Sequence, residues 1–180
     1  MAGHRDDLAD GGAAHWAETI KAVNKHAPNT SVETLIGDFQ GDSKALNVVI
    51  NAEPHILAHN METVKRMHPA VRPQAKYDRS IKVLREIQES GLVSKTGIMV
   101  GIGETDEEIV ELLGDIRETA KTEIITIGQY LQPTRNHLPV DRWVHPDQFE
   151  MYKEVGLSLG FRVVESGPLV RSSFHAEEQV

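Results

Sequence analysis

Apolar positions along the chain recur at two spacings, and their alternation predicts the order of elements. From Ala13 to His26, Trp16, Ile20 and Val23 lie at helical spacing until Pro28 ends the pattern. In SVETLIGDF, Val32, Thr34 and Ile36 alternate as a strand does, a short helix follows over 43–51, and PHILAHN (54–60) reads as the next strand. Residues 77–90 form an amphipathic helix through Ile81, Leu84 and Ile87, with Gly91 placed for its C-terminal cap. Residues 95–101 read as a buried strand, and 106–119 as a helix with Ile109, Leu112, Leu113 and Ile116 inward. The strand EIITIGQYL, a polar loop through Pro133 and Pro139, a helix over 147–159 and a last strand in FRVVESGPLV complete the pattern.

Strand and helix in strict alternation predict an α/β fold with parallel pairing and a right-handed wind, in one domain over 1–180. In a barrel or partial barrel the strand exits converge on one mouth. Four exits carry polar groups suited to a ligand: Gly37-Asp38-Phe39, His59-Asn60, Gly101 to Glu104, and Gln129 to Gln132.

Composition narrows the partners. The chain has 180 residues, 39% hydrophobic and 26% charged, which is ordinary for a globular domain. A net charge of −8 argues against nucleic acid, whose phosphates need clustered cations. No apolar run reaches the length of a membrane span, and the acidic start MAGHRDDLADGG does not resemble a signal peptide, so a cytoplasmic setting is expected. There is no cysteine, which removes disulfides and any thiolate ligation of a metal or iron–sulfur cluster by this chain. His55 and His59 share one face of a strand but stand too far apart to be co-ligands of zinc.

The turn Gly101-Ile102-Gly103-Glu104-Thr105-Asp106 raises a chemical question. It lacks the lysine and hydroxyl of a phosphate loop and the third glycine of a dinucleotide fingerprint, and its acids would repel phosphate. Glu104, Asp106, Glu107 and Glu108 suit the start of a helix, where Thr105 and Glu108 spell a capping box. Two readings stand: a plain capped turn, or glycines that let a flat neutral or cationic ligand approach the backbone.

The stretches HNMETVKRMHPAVRPQAKYDRS, KTGIMVGIGETDEE, TIGQYLQPTRNHLPV and SGPLVRSSFHAEEQ, with RDDLADGGAAHW near the start, together resemble the lipoyl synthase family of radical S-adenosylmethionine (SAM) enzymes. The resemblance implies a partial (β/α) TIM-like barrel, truncated at its N-terminal side, and a C-terminal tail over 164–180. It also implies SAM, two [4Fe-4S] clusters and an electron donor. The reaction implied is insertion of two sulfur atoms into an octanoyl chain carried on a lipoyl domain, such as the glycine cleavage H protein or a 2-oxoacid dehydrogenase subunit. One cluster of the family reduces SAM to a radical that abstracts hydrogen, and the other donates sulfur. The family carries two cysteine triplets upstream of the matched segment, and this chain has neither, so on its own it is expected to be inactive or a binding module.

By the same resemblance, Gly101, Ile102, Gly103 and Glu104 lie beside the adenine of SAM, and Asn60 of the H-N-x-E-T stretch bonds polar parts of SAM. Taken alone, Asn60 reads as a helix cap. Asp10, Gly11 and Gly12 resemble the small-residue element near the SAM amino group, with capping of the first helix as Asp10's alternative. Gln129, Tyr130 and Gln132 contact adenine or substrate, or in the case of Tyr130 simply pack. Ser173, with Ser172 as alternative, ligates the sulfur-donating cluster. Finally, 65–85 gathers seven cations against Asp78. This is either a solvated face or, through Arg72, Lys76 and Arg79, a docking patch for an acidic carrier.

Overall fold

A computed structural model of the chain describes residue 5, residues 7–176 and residue 179. Residues 1–4, Asp6, Glu177, Glu178 and Val180, at the two ends of the chain, lie outside the described residues. Helix α1 (Ala13–His26) is followed by β1 (Glu33–Leu35), a 3-10 turn (Phe39–Gly41), α2 (Ser43–Ile50) and β2 (Ile56–Ala58). Next come a short helix α3 (His68–Val71), α4 (Tyr77–Glu89) and β3 (Val93–Val100). Helix α5 (Asp106–Asp115) continues as a π turn (Ile116–Ala120), and β4 (Ile124–Gln129), α6 (Pro146–Ser158) and β5 (Val163–Gly167) complete the order.

The five strands pair in parallel in the order β1-β2-β3-β4-β5, so each strand neighbours the next in sequence and the chain forms a partial (β/α) barrel. Alternation along β3 and β4 separates two faces. Ile98, Val100, Ile125 and Ile127 join Leu84, Ile109, Leu112, Leu113, Phe149 and Tyr152 in a core between the sheet and α4, α5 and α6. A second core joins Ile36 and Leu57 to α1, α2 and the other side of α4. The residues between these outward positions, Lys95, Gly97 and Met99 on β3 and Thr126 and Gly128 on β4, therefore face the inside of the barrel.

Deep on that inner face, the Lys95 side chain is 1% exposed and its Nζ lies 2.8 Å from Glu33 Oε2, clipping β3 to β1. The Thr105 hydroxyl and Glu108 carboxylate form the capping box that starts α5, as the sequence predicts. Gly91 takes φ +87° beyond α4, the left-handed conformation its place required. The differences are local: β2 is shorter than the expected 54–60, β3 begins at Val93 rather than at 95, the helix expected over 106–119 ends at Asp115 in a π turn, and α3 interrupts the basic segment after β2. The first four residues of the expected tail, Val164 to Gly167, belong to β5. Among the described residues no helix is long and apolar enough to cross a membrane.

Candidate functional site

The exits of β2, β3 and β4 enclose a cavity of about 270 Å³ whose polar wall includes Asn60, Glu62, Thr126 and Ser172. The wall depends on the chain crossing back beside β3 after β2. The Glu62 N–H donates to the Gly97 carbonyl at 3.0 Å, and the Met99 N–H donates to the Glu62 carbonyl at 2.8 Å. To do this, Glu62 adopts φ +67°, a left-handed conformation uncommon outside glycine. Asn60 Nδ2 donates to Glu62 Oε1 at 3.1 Å, so Asn60 orients an acid and does not cap a helix. Burial raises the Glu62 pKa, opposed by the Asn60 hydrogen bond and the Arg72 charge.

Gly97 has a steric reason: a Cβ there would lie 2.9 Å from both Asn60 Oδ1 and Thr126 Oγ1 and would fill the floor of the cavity. On the next strand, a Cβ on Gly128 would collide with the Val170 carbonyl, so that glycine lets the tail cross the mouth. The tail places Ser172 in the cavity wall, while Ser173 is exposed.

The glycine turn after β3 is occupied by its own acid. The Glu104 carboxylate accepts the N–H groups of Gly101, Ile102 and Gly103 at 2.6, 2.9 and 3.2 Å. An anion does sit on those glycines, and it belongs to the protein. Gly101 is needed because a Cβ would strike the Arg142 carbonyl. Gln129 is equally engaged, donating to the carbonyls of Tyr130 and Arg142 and accepting the Val144 N–H at 3.0 Å. The Tyr130 hydroxyl donates to the Leu138 carbonyl at 2.9 Å, and exposed Gln132 donates to that of His137 at 2.8 Å. Of these residues Gln129 alone lines the cavity.

Asp10 lies two residues before Gly12, the N-cap of α1, and its carboxylate accepts the N–H groups of Gly12 at 3.0 Å and Ala14 at 2.9 Å, which lowers its pKa. Gly11 and Gly12, with φ +60° and +85°, make the turn into that helix, and Gly11 packs on Phe39 at the exit of β1.

The basic segment divides on inspection. Arg79 Nε pairs with Asp38 Oδ2 at 2.7 Å, and Arg72 Nη1 donates to the Asn60 carbonyl at 2.8 Å, so both are half-buried and hold strand exits. Lys76 is exposed. Among the described residues no three His, Asp or Glu side chains gather as a metal site. Sequence reasoning quoted Gly97 and Glu62 only as members of longer motifs and did not single out Thr126. For Gly97 the available signal was parity, since residues two apart on β3 share a face with Met99.

Comparison with known proteins adds identity to this geometry. A family profile described as the Radical SAM superfamily matches residues 1–116. The chain is similar to a mitochondrial lipoyl synthase of Nematostella vectensis, 52% identical over 98% of this chain and 60% of that protein. It is 54% identical to a lipoyl synthase of Bacteroides fragilis, over 98% of this chain and 61% of the relative. The chain thus spans about 60% of the length of these relatives. Among solved structures it resembles a domain of a pyruvate-formate lyase-activating enzyme from Bacteroides vulgatus, at a TM-score of 0.59 and 11% identity over 86% of this chain and 94% of that one. It also resembles Streptococcus suis SuiB, at 0.62 and 12% over 91% and 38%. These two likenesses concern the fold.

Proposed function

The chain belongs to the radical SAM superfamily, and on that premise we propose that it forms the SAM-binding and substrate-facing part of a lipoyl synthase. The observation that carries this reading is the convergence of Asn60, Glu62, Gly97 and Ser172, drawn from three separate motifs, on one cavity at the strand exits. SAM fits the donor set. Asn60 and Glu62 would hold its ribose hydroxyls or ammonium, Gly97 leaves room for a ring, and Met99 and Leu131 supply apolar walls. Glu104 and Gln129 keep the β3 and β4 exits in shape from behind, with Gly101, Ile102 and Gly103 presented by that brace. When bound, SAM supplies the hydrogen-abstracting chemistry that an unactivated C–H bond requires.

The side chains present do not fit an iron–sulfur cluster, because the chain has no cysteine thiolate. Cysteine ligands for a cluster would have to come from other polypeptide. Ser172, in the cavity wall, and exposed Ser173 remain the candidate oxygen ligands that this polypeptide would complement. An octanoylated carrier would dock at the rim beside Lys76, with Arg72 and Arg79 behind it, in the cytoplasm.

Calorimetric titration of SAM into the 180-residue chain tests the reading. Saturable one-site binding is expected, abolished in Gly97→Ala, whose fold is checked by its circular dichroism spectrum. Absence of binding to folded wild-type protein would remove the proposal. The same protein with dithionite is expected to release no 5′-deoxyadenosine.

A further inference from the structure

The chain over 141–144 lies between the exits of β3 and β4 and is held from both. The Asp141 N–H donates to the Gly101 carbonyl at 2.9 Å. Gln129, in the wall of the mouth cavity, closes on the same segment with both ends of its amide. Its Nε2 donates to the Arg142 carbonyl at 3.1 Å, and its Oε1 accepts the Val144 N–H at 3.0 Å. We propose that Arg142 is a positioning residue for the SAM site, which sets Gln129 and the Gly101 to Glu104 turn in place without lining the cavity itself.

The guanidinium supplies a charge that this part of the fold otherwise lacks. The Glu104 carboxylate is buried, and the three N–H groups it accepts bring dipoles and no net charge. Arg142 Nη2 lies 3.7 Å from Glu104 Oε1, and among the described residues no other cation comes within 4.0 Å of that carboxylate. The same nitrogen donates to Asp106 Oδ1 at 2.7 Å and to the Tyr152 hydroxyl at 3.3 Å. Asp106 is itself fixed from α6, accepting the Tyr152 hydroxyl at 2.6 Å and Gln148 Nε2 at 2.8 Å. The Arg142 side chain is thus tied to α5 and α6, while its carbonyl holds Gln129 at the mouth.

All of the charged contacts use Nη2. Nε is buried and has no hydrogen-bond partner among the described residues, a cost to stability, so the planar fork of the guanidinium is not what the arrangement exploits. A single positive charge near Nη2 should suffice, and lysine can supply one. Without that charge, two carboxylates are left facing each other with no cation between them, the segment loosens, and the Gln129 amide loses its two fixed partners.

Resting on the reading above, the test compares the 180-residue chain with Arg142→Met and Arg142→Lys, their folds checked by circular dichroism. Two quantities are read: the Gln129 side-chain Nε2 signals by ¹⁵N NMR without ligand, and SAM affinity by calorimetry. In Arg142→Met the Gln129 signals should move toward those of a solvated amide, and SAM should bind about tenfold more weakly. Arg142→Lys should return the signals to their wild-type positions and the affinity to within about threefold. A brace that serves stability alone would leave both quantities unchanged in folded Arg142→Met, and either one unchanged overturns the proposal. So does Arg142→Lys behaving no better than Arg142→Met. If Arg142→Met does not fold, Arg142→Lys decides: wild-type Gln129 signals with retained SAM affinity support the proposal, and displaced signals overturn it. If the wild-type chain binds no SAM, the SAM reading falls, and Gln129 signals that move in Arg142→Met and return in Arg142→Lys leave Arg142 standing as the residue that sets this wall.

Discussion

The carboxylate of Glu104 holds the backbone N–H of Gly101 at 2.6 Å and, with Ile102 and Gly103, fills a three-donor nest buried at the exit of β3. Removing it would strand three donors where water has little access. Glu104→Ala should destabilise the fold by about 3 kcal/mol or more, and Glu104→Gln by less, since one acceptor oxygen remains. Urea denaturation of the two variants checks the order. Equal stability of wild type and Glu104→Ala would mean that the turn does not need its acid.

Glu62 predicts a pH dependence of opposite sign to the usual carboxylate. Its folded pKa is raised above the ordinary 4.5, chiefly by burial. The folded state therefore holds this proton more tightly than the unfolded state, and stability declines as pH rises from 4.5 through the raised value. Glu62→Gln should be at least as stable as wild type at neutral pH, with any advantage vanishing below pH 4, roughly the unfolded range. The same variant should bind SAM more weakly. A variant less stable at pH 7 than at pH 4, relative to wild type, would contradict the assignment.

Glu108 behaves in the usual sense. Hydrogen bonds from Arg66 and the Thr105 backbone lower its pKa from 4.5 to about 2. Its contribution is present above 4.5 and is lost as pH falls through about 2. Acid unfolding followed by circular dichroism should show a shallower slope between these values for Glu108→Gln than for wild type. An identical slope would exclude the capping box and the Arg66 pair as its source.

The helices were legible because each depends on local period. Residues 13–26 and 77–90 carry their apolar stripe and terminators within their own span, and the structure reproduces both to within a residue. The site was legible only where partners are close in sequence. Thr105 with Glu108 could be read from spacing. That Glu104 itself is the anion on the glycines needed the fold of a four-residue turn. The basic run misleads for the same reason. Arg79 finds Asp38 forty-one residues away, and Arg72 finds the Asn60 carbonyl at twelve, so charges that read as surface become internal braces. Glu62 lay beside Asn60 in a quoted motif, yet its place depends on a left-handed φ that nothing in its residue type announces.

The Lys95 and Glu33 pair bears on why the barrel's edge strand stays attached. β1 is three residues long and among the described residues pairs with β2 alone, so backbone hydrogen bonds hold it weakly. The 2.8 Å contact ties its first residue to β3, across β2, with Lys95 1% and Glu33 21% exposed. Burying a lone ammonium is far more costly than burying the pair, because the Coulomb attraction offsets desolvation only while both partners remain. Glu33→Gln should therefore destabilise by about 3 kcal/mol or more by leaving Lys95 uncompensated, whereas Lys95→Met with Glu33→Leu should lie within about 1 kcal/mol of wild type. Amide exchange resolves the location of the effect. In Glu33→Gln, protection should fall first at Ile36 and Ile56, whose N–H groups donate to the Ala58 and Val32 carbonyls at the β1 and β2 junction. Loss of protection spread evenly over β3 and β4 would instead make the pair a determinant of the whole core and not a clip on its edge.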